Sequence, residues 1–223
     1  MLTTHSARLL AAAALSLQAA AGAQGPPADT LRVRPIARPP AVEARIDSAT
    51  WGPPQVRIPT GQGTASVWLL RAADTLFVAA AVPDSTRSWA DALAVYFDVQ
   101  GDGAPAPAHD DFQWSLRRML DSSVVYRGRA GRWEPPHDDP DWRIGAKHSG
   151  GGWEVSGTDD RWGWTVLLRL DPAWLEGDGG RRPAIGFLVH DDEPNGWYGW
   201  PARPGPGGTL VERSPTMWVP LGN

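Results

Sequence analysis

The sequence contains no cysteine among its 223 residues. This absence excludes a disulfide framework, a thiolate metal site and a cysteine nucleophile. The chain also lacks an apolar run of the roughly 18 residues that a transmembrane helix needs, so no membrane insertion is predicted. Acidic residues outnumber basic ones by 25 to 21, which argues against nucleic acid as a partner because nucleic acids bind basic surfaces.

The signatures of common enzyme classes are missing as well. The sequence has no Gly-x-Ser-x-Gly turn, no His-Glu-x-x-His helix and no Gly-x-x-x-x-Gly-Lys loop. Its 25 acidic residues offer many carboxylate pairs, but no spacing singles one pair out. We therefore expect a protein without a catalytic centre of its own.

The first 23 residues have the pattern of a cleavable signal peptide. His5 and Arg8 precede an apolar run that begins at Leu9, and small residues at positions 21–23 provide a cleavage site after Ala23. Residues 24–41 are rich in proline and are predicted to form an extended linker, whereas residues 42–223 are predicted to form one folded domain. The protein is therefore expected to be secreted or periplasmic.

The folded region is predicted to be all-β. The chain's 25 glycines and 22 prolines interrupt it too often for long helices. The spacing of short β-forming runs is typical of a two-sheet antiparallel β-sandwich of jelly-roll or immunoglobulin-like type, with about ten strands. One short helical turn is predicted where Asp171, as an N-cap, precedes Pro172. The predicted strands are Ser66–Arg71, Thr75–Val82, Ala92–Val99, Phe112–Leu116, Ser123–Arg127, Trp142–His148, Trp153–Gly157, Trp162–Leu170, Ala184–His190 and Met217–Leu221.

Tryptophan is unusually abundant. All 13 tryptophans lie at or beyond Trp51, and a domain of this size cannot easily bury every one of them. Those within strand patterns are predicted to be core residues, and others are candidates for an exposed surface that binds a flat polar ligand. The predicted core tryptophans are Trp51, Trp68, Trp114 and Trp164.

The segment from Trp89 to Asp98 resembles the signature strand of the family 9 carbohydrate-binding modules. Other segments resemble motifs of that family in the same order along residues 42–221. The resemblance implies a β-sandwich that binds mono-, oligo- or polysaccharides and is not catalytic. The other segments that resemble motifs of the family are Ile46–Trp51, Ser66–Ala79, His109–Trp114, Gly163–Leu170 and Ile185–Asp191.

The resemblance also implies the residues of the binding site. Members of the family clamp a sugar ring between two tryptophans, and the matching positions here are Trp89 and Trp200. Polar residues at the sugar's edge and an additional aromatic platform are expected at Gln113, Asp91, Arg117 and Trp197. Structural calcium is implied too, and its expected ligands are Glu43, Asp47 and Asp84.

Two alternatives to a sugar-binding module remain open at this stage. Ala94 and Ser115 stand where sugar-binding members carry charged residues, which favours a sandwich repurposed as a sensor or protein-interaction domain. Leu167 stands where the family's strand usually carries Glu, which removes one carboxylate and bears on metal ligation. The acidic loops at Asp110–Asp111, 138–141 and 191–193 instead favour a glycan-processing hydrolase or its accessory domain.

The tripeptide His-Asp-Asp occurs three times and offers a further metal hypothesis. Imidazole and carboxylate groups together can hold zinc or another transition metal if the three loops converge. The triplets begin at His109, His137 and His190.

Overall fold

The computed structural model describes residues 30–43, 45–119, 123–135, 152–171, 181–193, 195–201, 204–205, 208–209, 212 and 214–222. The predicted signal peptide, the predicted strand Trp142–His148, the triplet at His137 and the predicted helical turn after Asp171 lie outside these residues.

Two β-sheets form a sandwich, which confirms the predicted all-β fold. The strands are β1 Leu31–Arg32, β2 Arg34–Pro35, β3 Val56–Thr60, β4 Gly63–Ala72, β5 Thr75–Pro83, β6 Ala92–Asp98, β7 Asp111–Arg117, β8 Val124–Arg129, β9 Arg132–Glu134, β10 Trp153–Asp160, β11 Gly163–Leu170, β12 Ala184–Asp191, β13 Gly196–Trp200, β14 Pro204–Gly205, β15 Gly208–Thr209 and β16 Val219–Gly222.

The larger sheet has eight strands in the order β1-β16-β12-β6-β7-β8-β9, with β13 also paired to β12. The smaller sheet has six strands in the order β10-β11-β5-β4-β2, with β3 also paired to β4.

The strand count exceeds the predicted ten because short strands extend the sheets at their edges. β3, β9 and β13 were not predicted; β3 carries Pro59 and β13 carries two glycines, both of which weaken a strand pattern. Two short helical segments also occur among the described residues, α1 at Ser48–Trp51 and a 3-10 turn at Pro215–Met217. None of the described helices is long and apolar enough to cross a membrane.

The predicted linker contributes to both sheets, so the boundary at residue 42 needs correction. β1 pairs in parallel with β16, and β2 pairs in parallel with β4, which makes both sheets mixed. Leu31 and Val33 are buried in the main core. The proline-rich segment is extended as predicted, but its apolar residues alternate with polar ones and pack as edge strands. The folded region thus includes residues from position 30 onward.

Alternation along the strands builds the core between the sheets. In β6, Leu93, Val95 and Phe97 face the smaller sheet and are fully buried. The predicted core tryptophans Trp114 and Trp164 join this cluster. Because successive side chains of a strand point to opposite faces, every second residue lies in the core and the residues between them lie on the outer face of the sheet.

A second apolar layer covers the outer side of the smaller sheet. Trp51, at the end of α1, packs with Phe77 and Leu167, while Trp68 is partly buried and donates from Nε1 to the Gly52 carbonyl at 2.9 Å. Leu167 is completely buried there. An apolar residue at this position therefore belongs to the packing under α1.

An apolar cluster covers part of the outer face of the larger sheet, the face turned away from the smaller one. Tyr96 of β6 lies there beneath Trp133 and Trp218, with ring centroids 5.7 Å from each. Ala94 and Leu188 complete this apolar cluster. On the same face, the candidate site lies beyond Ala94, toward the start of β6 at Ala92.

Candidate functional site

A row of four side chains crosses one end of the outer face. Strand pairing aligns Trp197 of β13 with His190 of β12, His190 with Ala92 of β6, and Ala92 with Arg117 of β7. Neighbouring strands lie about 4.8 Å apart, so the backbones of Trp197 and Arg117 are separated by about 14 Å. The row is wide enough to lie beneath a sugar residue.

The loop before β6 brings Trp89 to the same row. The carbonyl of Ala90 accepts a hydrogen bond from Nη1 of Arg117 and lies 2.9 Å from Nδ1 of His190, which donates to it in the matching tautomer. The guanidinium of Arg117 lies 6.0 Å from the ring centroid of Trp89. The Trp197 ring stacks on His190 with a centroid distance of 3.9 Å. Trp89, Arg117, His190 and Trp197 thus form one surface, named here the Trp89–Trp197 surface.

Both tryptophans of this surface are exposed. Trp89 is 67% exposed and Trp197 is 52% exposed, whereas most other described tryptophans are buried or partly buried. Two exposed indole rings on one sheet face, with polar side chains between them, are a feature of ligand-binding surfaces. The structure therefore brings together three of the predicted site residues, Trp89, Arg117 and Trp197.

Asp91 does not reach this surface, which corrects its predicted role at the sugar's edge. Its side chain is completely buried, and its oxygens accept hydrogen bonds from the backbone N–H groups of Ser88 at 3.0 Å and Asp192 at 3.1 Å. Arg118 also donates to it at 3.0 Å. Asp91 therefore supports the loop that carries Trp89 from below, and its oxygens are not exposed on the surface.

Arg118 is the centre of a buried polar network beneath that loop. Its Nη1 donates to Asp84 and Asp91 at 3.0 Å each and also to the Thr86 carbonyl, while its Nη2 donates to Asp159 at 2.7 Å. Burial alone would lower the pKa of Arg118, but hydrogen bonds and charges from these carboxylates raise it above its usual value. Burial raises the pKa of Asp84, and the charge of Asp91 adds to that effect.

Trp200 faces the core, which corrects its predicted position opposite Trp89. Its ring packs against Phe187 with centroids 5.8 Å apart, and it is partly buried against the main core. The reason is strand alternation, because Trp200 lies three residues after Trp197 in β13 and residues an odd number apart point to opposite faces. The exposed partner of Trp89 is therefore Trp197.

Gln113 lies on the outer face but away from the Trp89–Trp197 surface. It is partly buried and paired with Tyr96, four residues along β7 from Arg117, a distance of about 13 Å. Between them, the paired residues Ala94 and Ser115 are buried. A charged residue at position 94 would lie in the apolar cluster with Trp218, so an alanine suits the packing at this position.

The expected calcium ligands Glu43, Asp47 and Asp84 do not come together. Asp47 is the exposed N-cap of α1 and accepts from the Thr50 N–H at 2.8 Å, which lowers its pKa. Glu43 is exposed. Asp84 instead lies with Asp91 and Asp191. Local capping explains Asp47 without a metal.

A second group of buried acids lies at the other end of the larger sheet. Asp98, at the end of β6, is grouped with Asp110 and Asp111, whose ligand oxygens lie within 4.8 Å of one another. Burial raises the pKa of Asp111 to about 8 and also raises that of Asp98. The His-Asp-Asp triplets at His109 and His190 lie at opposite ends of the sheet, so these two do not form one transition-metal site.

His190 and Asn195 were missed as site residues. Nε2 of His190 lies 3.3 Å from Oδ1 of Asn195, at the exposed edge of the row. In the sequence, His190 is distinguished only by the repeated His-Asp-Asp tripeptide. Its position beside Trp197 depends on the pairing of β12 with β13, which was not predicted because the two glycines of β13 weaken its strand pattern.

Comparison with known proteins establishes the fold. No family model and no curated protein matches the sequence. A family 9 carbohydrate-binding module from Caldicellulosiruptor kristjanssonii, solved in complex with cellotriose, is similar with a TM-score of 0.56 at 14% identity, over 85% of this chain and 92% of that chain. Its complex with glucose is similar with a TM-score of 0.56 at 15% identity, over 86% of this chain and 95% of that chain. The chain therefore has the fold of the family 9 carbohydrate-binding modules, as its motifs predicted.

Proposed function

We propose that the protein is a non-catalytic carbohydrate-binding module that binds a mono- or oligosaccharide on the Trp89–Trp197 surface. The observation that carries the proposal is the pair of exposed tryptophans on one sheet face, with Arg117 and His190 between them. The shared fold supports it, because the similar structures hold cellotriose and glucose.

The chemistry of the surface suits a sugar. The faces of a pyranose present C–H groups, which stack against indole rings, while the hydroxyls at its edge require polar partners that replace water. Arg117 provides further N–H donors beyond the one that the Ala90 carbonyl accepts. The exposed Asn195 amide and the partly buried Asp192 carboxylate lie beside His190 and Ser88 and offer both donors and acceptors.

The surface is held in place before any ligand arrives. Asp91 accepts from the backbone N–H groups of Ser88, next to Trp89, and of Asp192, and Ser88 Oγ donates to Asp192 at 2.6 Å. These bonds join the loop that carries Trp89 to the turn after β12. Trp197 is supported by its stack on His190. A preorganised surface loses less conformational freedom on binding, so more of the contact energy contributes to affinity.

The hydrolase alternative receives less support. A glycosidase needs two accessible carboxylates about 5 to 10 Å apart. Near the Trp89–Trp197 surface, Asp84 and Asp91 are buried and already accept hydrogen bonds from Arg118. Of the acidic loop 191–193, Asp191 is buried, Asp192 is partly buried and accepts from Ser88 Oγ, and Glu193 is exposed. The oxygens of Asp84 and Asp91 serve the fold, which leaves, among the described residues, only Asp192 and Glu193 near the surface as accessible acids, and these neighbours in one turn are not a pair on opposite sides of a bound sugar.

Export also belongs to the proposal. A signal peptide that is cleaved after Ala23 would release a protein beginning at Gln24 into the periplasm or the medium, where polysaccharides are encountered. N-terminal sequencing of the protein purified from each fraction tests this. A chain recovered with Met1 intact from the cytoplasm alone would contradict it.

The function is tested by calorimetric titration of the chain from Gln24 onward with glucose, cellotriose and a panel of other saccharides. Trp89→Ala and Trp197→Ala should each weaken binding by about 2 kcal/mol or more, which is about thirtyfold in Kd. Because both side chains are exposed, the thermal midpoint Tm should hardly change.

Trp162→Ala is the matched control. Trp162 is 69% exposed, as much as Trp89, but it lies in the turn between β10 and β11 of the other sheet. Its removal should leave saccharide affinity unchanged. Binding that survives in both Trp89→Ala and Trp197→Ala would rule out this surface, and a folded protein that binds no saccharide would favour the repurposed sandwich.

A further inference from the structure

A cavity of about 490 Å³ opens between the two sheets at one edge of the sandwich. Its lining comes from both sheets: Leu221 belongs to β16 of the larger sheet, whereas Arg71 and Leu76 belong to β4 and β5 of the smaller one. The segment that joins β1 to β2 crosses between the sheets here and contributes Val33. A volume of this size lies within the range of small-molecule sites, which is about 300 to 1,000 Å³.

The floor of the cavity is apolar. Val33 and Leu76 are buried members of the core between the sheets, and Leu221 is partly buried against that core. Backbone hydrogen bonds hold this floor in place: the Val33 N–H donates to the Gly222 carbonyl at 3.0 Å, and the Leu221 N–H donates to the Pro183 carbonyl at 2.7 Å. An apolar ligand group against this floor removes apolar surface from water, which favours binding.

Three arginines form the rim of the cavity. Arg71, Arg181 and Arg182 all line it and are exposed. Arg71 has an exposed ion pair with Asp74 at 3.6 Å and donates from Nε to the Ala73 carbonyl at 3.1 Å. Neither Arg181 nor Arg182 has an ion pair or a side-chain hydrogen bond to any residue that the structure describes. Their N–H groups are therefore free to bind a ligand.

The charge at the rim is of one sign. Among the described residues, no acidic side chain lines the cavity, although the chain as a whole has 25 acidic and 21 basic residues. Guanidinium groups near one another repel unless an anion lies between them. Arginine does not lose its proton in proteins, so the rim stays positive across the physiological pH range. This arrangement favours a negatively charged ligand group.

Close backbone packing positions Arg181 and Arg182 at the cavity. Gly101, in the loop after β6, has a φ of +61°, and a Cβ atom there would collide with the Arg182 carbonyl oxygen. Glycine at this position therefore lets that loop pack directly on the segment before β12. On its other side, the same segment is joined to β16 by the hydrogen bond from Leu221 to Pro183. The two arginines thus extend from backbone that is supported from both sides.

The combination of rim and floor indicates the class of ligand. A carboxylate is planar and accepts two parallel hydrogen bonds from a guanidinium, which makes arginine its preferred partner. Inorganic phosphate or sulfate would also satisfy the rim, but it would leave the apolar floor in contact with water. A molecule with a carboxylate at one end and an aliphatic body at the other satisfies both parts of the lining.

We propose that this cavity binds a small carboxylate with an aliphatic body. The carboxylate accepts hydrogen bonds from Arg181 and Arg182, and Arg71 adds positive charge from the smaller sheet. The aliphatic body lies against the apolar floor. Because β1 and β2 each pair over only two residues at this edge, a ligand that contacts both sheets here should also raise Tm.

The cavity is separate from the Trp89–Trp197 surface. Pro183, which lines the cavity, directly precedes β12, whereas His190 lies near the other end of that strand. Seven residues of extended chain span about 23 Å. A small carboxylate in the cavity therefore does not contact a saccharide on the surface.

NMR titration with octanoate, together with thermal unfolding, tests the proposal on the chain from Gln24 onward at about pH 7, where the carboxyl group is ionised. Octanoate should bind saturably and raise Tm. Lengthening the ligand from butanoate to octanoate should lower Kd about two- to fourfold for each methylene that becomes buried. Octanamide, which keeps the body without the charge, and phosphate, which keeps a charge without the body, should each bind at least about tenfold more weakly than octanoate.

Single substitutions locate the site. Arg181→Ala and Arg182→Ala should each weaken octanoate binding at least about fivefold, since each removes a charged hydrogen-bond donor. Because both side chains are exposed, the Tm of the unliganded protein should hardly change. Arg132→Ala is the matched control: Arg132 is also exposed but lies in β9, at the opposite edge of the larger sheet. It should leave octanoate binding unchanged.

The proposal is wrong if octanoate does not bind, or if octanamide or phosphate binds as tightly as octanoate. It is equally wrong if Arg181→Ala and Arg182→Ala both keep the wild-type affinity, or if Arg132→Ala loses as much affinity as they do. Saccharide titration of the same variants keeps this result separate from the proposed function, since none of these substitutions alters the Trp89–Trp197 surface.

Discussion

Replacing Arg118 by methionine should destabilise the protein more than replacing any other described arginine. The side chain of Arg118 is 2% exposed and contacts three carboxylates, those of Asp84, Asp91 and Asp159. Removing one partner of a buried ion pair costs about 3 to 5 kcal/mol, because it leaves charge buried without compensation. For a domain of this size, that corresponds to a decrease in Tm of about 6 to 20 °C.

Urea denaturation followed by tryptophan fluorescence measures the free energy of unfolding directly. Arg169→Met is the matched control: Arg169 also pairs with two acids, Glu154 at 3.4 Å and Asp171 at 2.6 Å, but its side chain is 36% exposed. Solvent screening limits that loss to less than about 1 kcal/mol. If the two variants lost equal stability, or if Arg118→Met lost less than about 1 kcal/mol, the argument from burial would be refuted.

The same variant should show a characteristic pH dependence. Burial already raises the pKa of Asp84 with Arg118 present, and removing the guanidinium raises it further. An acid whose pKa is raised in the folded state binds a proton more readily there than in the unfolded chain, so stability is lost as pH rises through the folded pKa. The deficit of Arg118→Met relative to wild type should therefore be larger at about pH 8 than at about pH 5. A constant deficit would contradict this.

Three further predictions concern the placement of single elements. Trp200→Ala should lower the free energy of unfolding by about 2 to 4 kcal/mol in urea denaturation, since the Trp200 ring packs on Phe187. Unchanged stability together with lost sugar binding would instead support a sugar clamped between Trp89 and Trp200. Asp91→Asn should weaken saccharide binding in calorimetry as well as lower Tm, because the loop that carries Trp89 loses its anchor, and unaltered affinity would separate that loop from the site. A chain that begins at Val42 should melt at a lower temperature than one that begins at Gln24, because it lacks the buried Leu31, and equal melting would place residues 30–41 outside the fold after all.

Much of the fold could be predicted because it depends on patterns between near neighbours in sequence. The runs at Ala92–Asp98 and Ala184–Asp191 are β-forming segments bounded by turn residues, and both strands end within one residue of their predicted limits. Edge strands were harder to predict. β1 and β2 are two residues long and gain stability only from parallel pairing with distant strands, so the proline-rich sequence around them predicts extended chain and nothing more.

The site was predicted in part for the same reason. Trp89 and Arg117 flank the strands of recognisable motifs, and a tryptophan in a glycine-containing loop indicated exposure at Trp197. The choice between Trp197 and Trp200 depended on β13 being a strand at all, because only then do residues three apart face opposite sides.

The sequence by itself determined an all-β chain, the positions of its longer described strands and the tryptophans from which a binding surface could be built. Only the tertiary structure decided which side chains share that surface, that Asp91 is buried beneath it, and that Arg118 pairs with Asp84 and Asp91 inside the fold. The physical reason is that periodicity is a property of neighbouring residues, whereas burial and charge balance depend on residues far apart in sequence. Arg118 meets Asp84 across 34 positions and Asp159 across 41, and no local pattern specifies either contact.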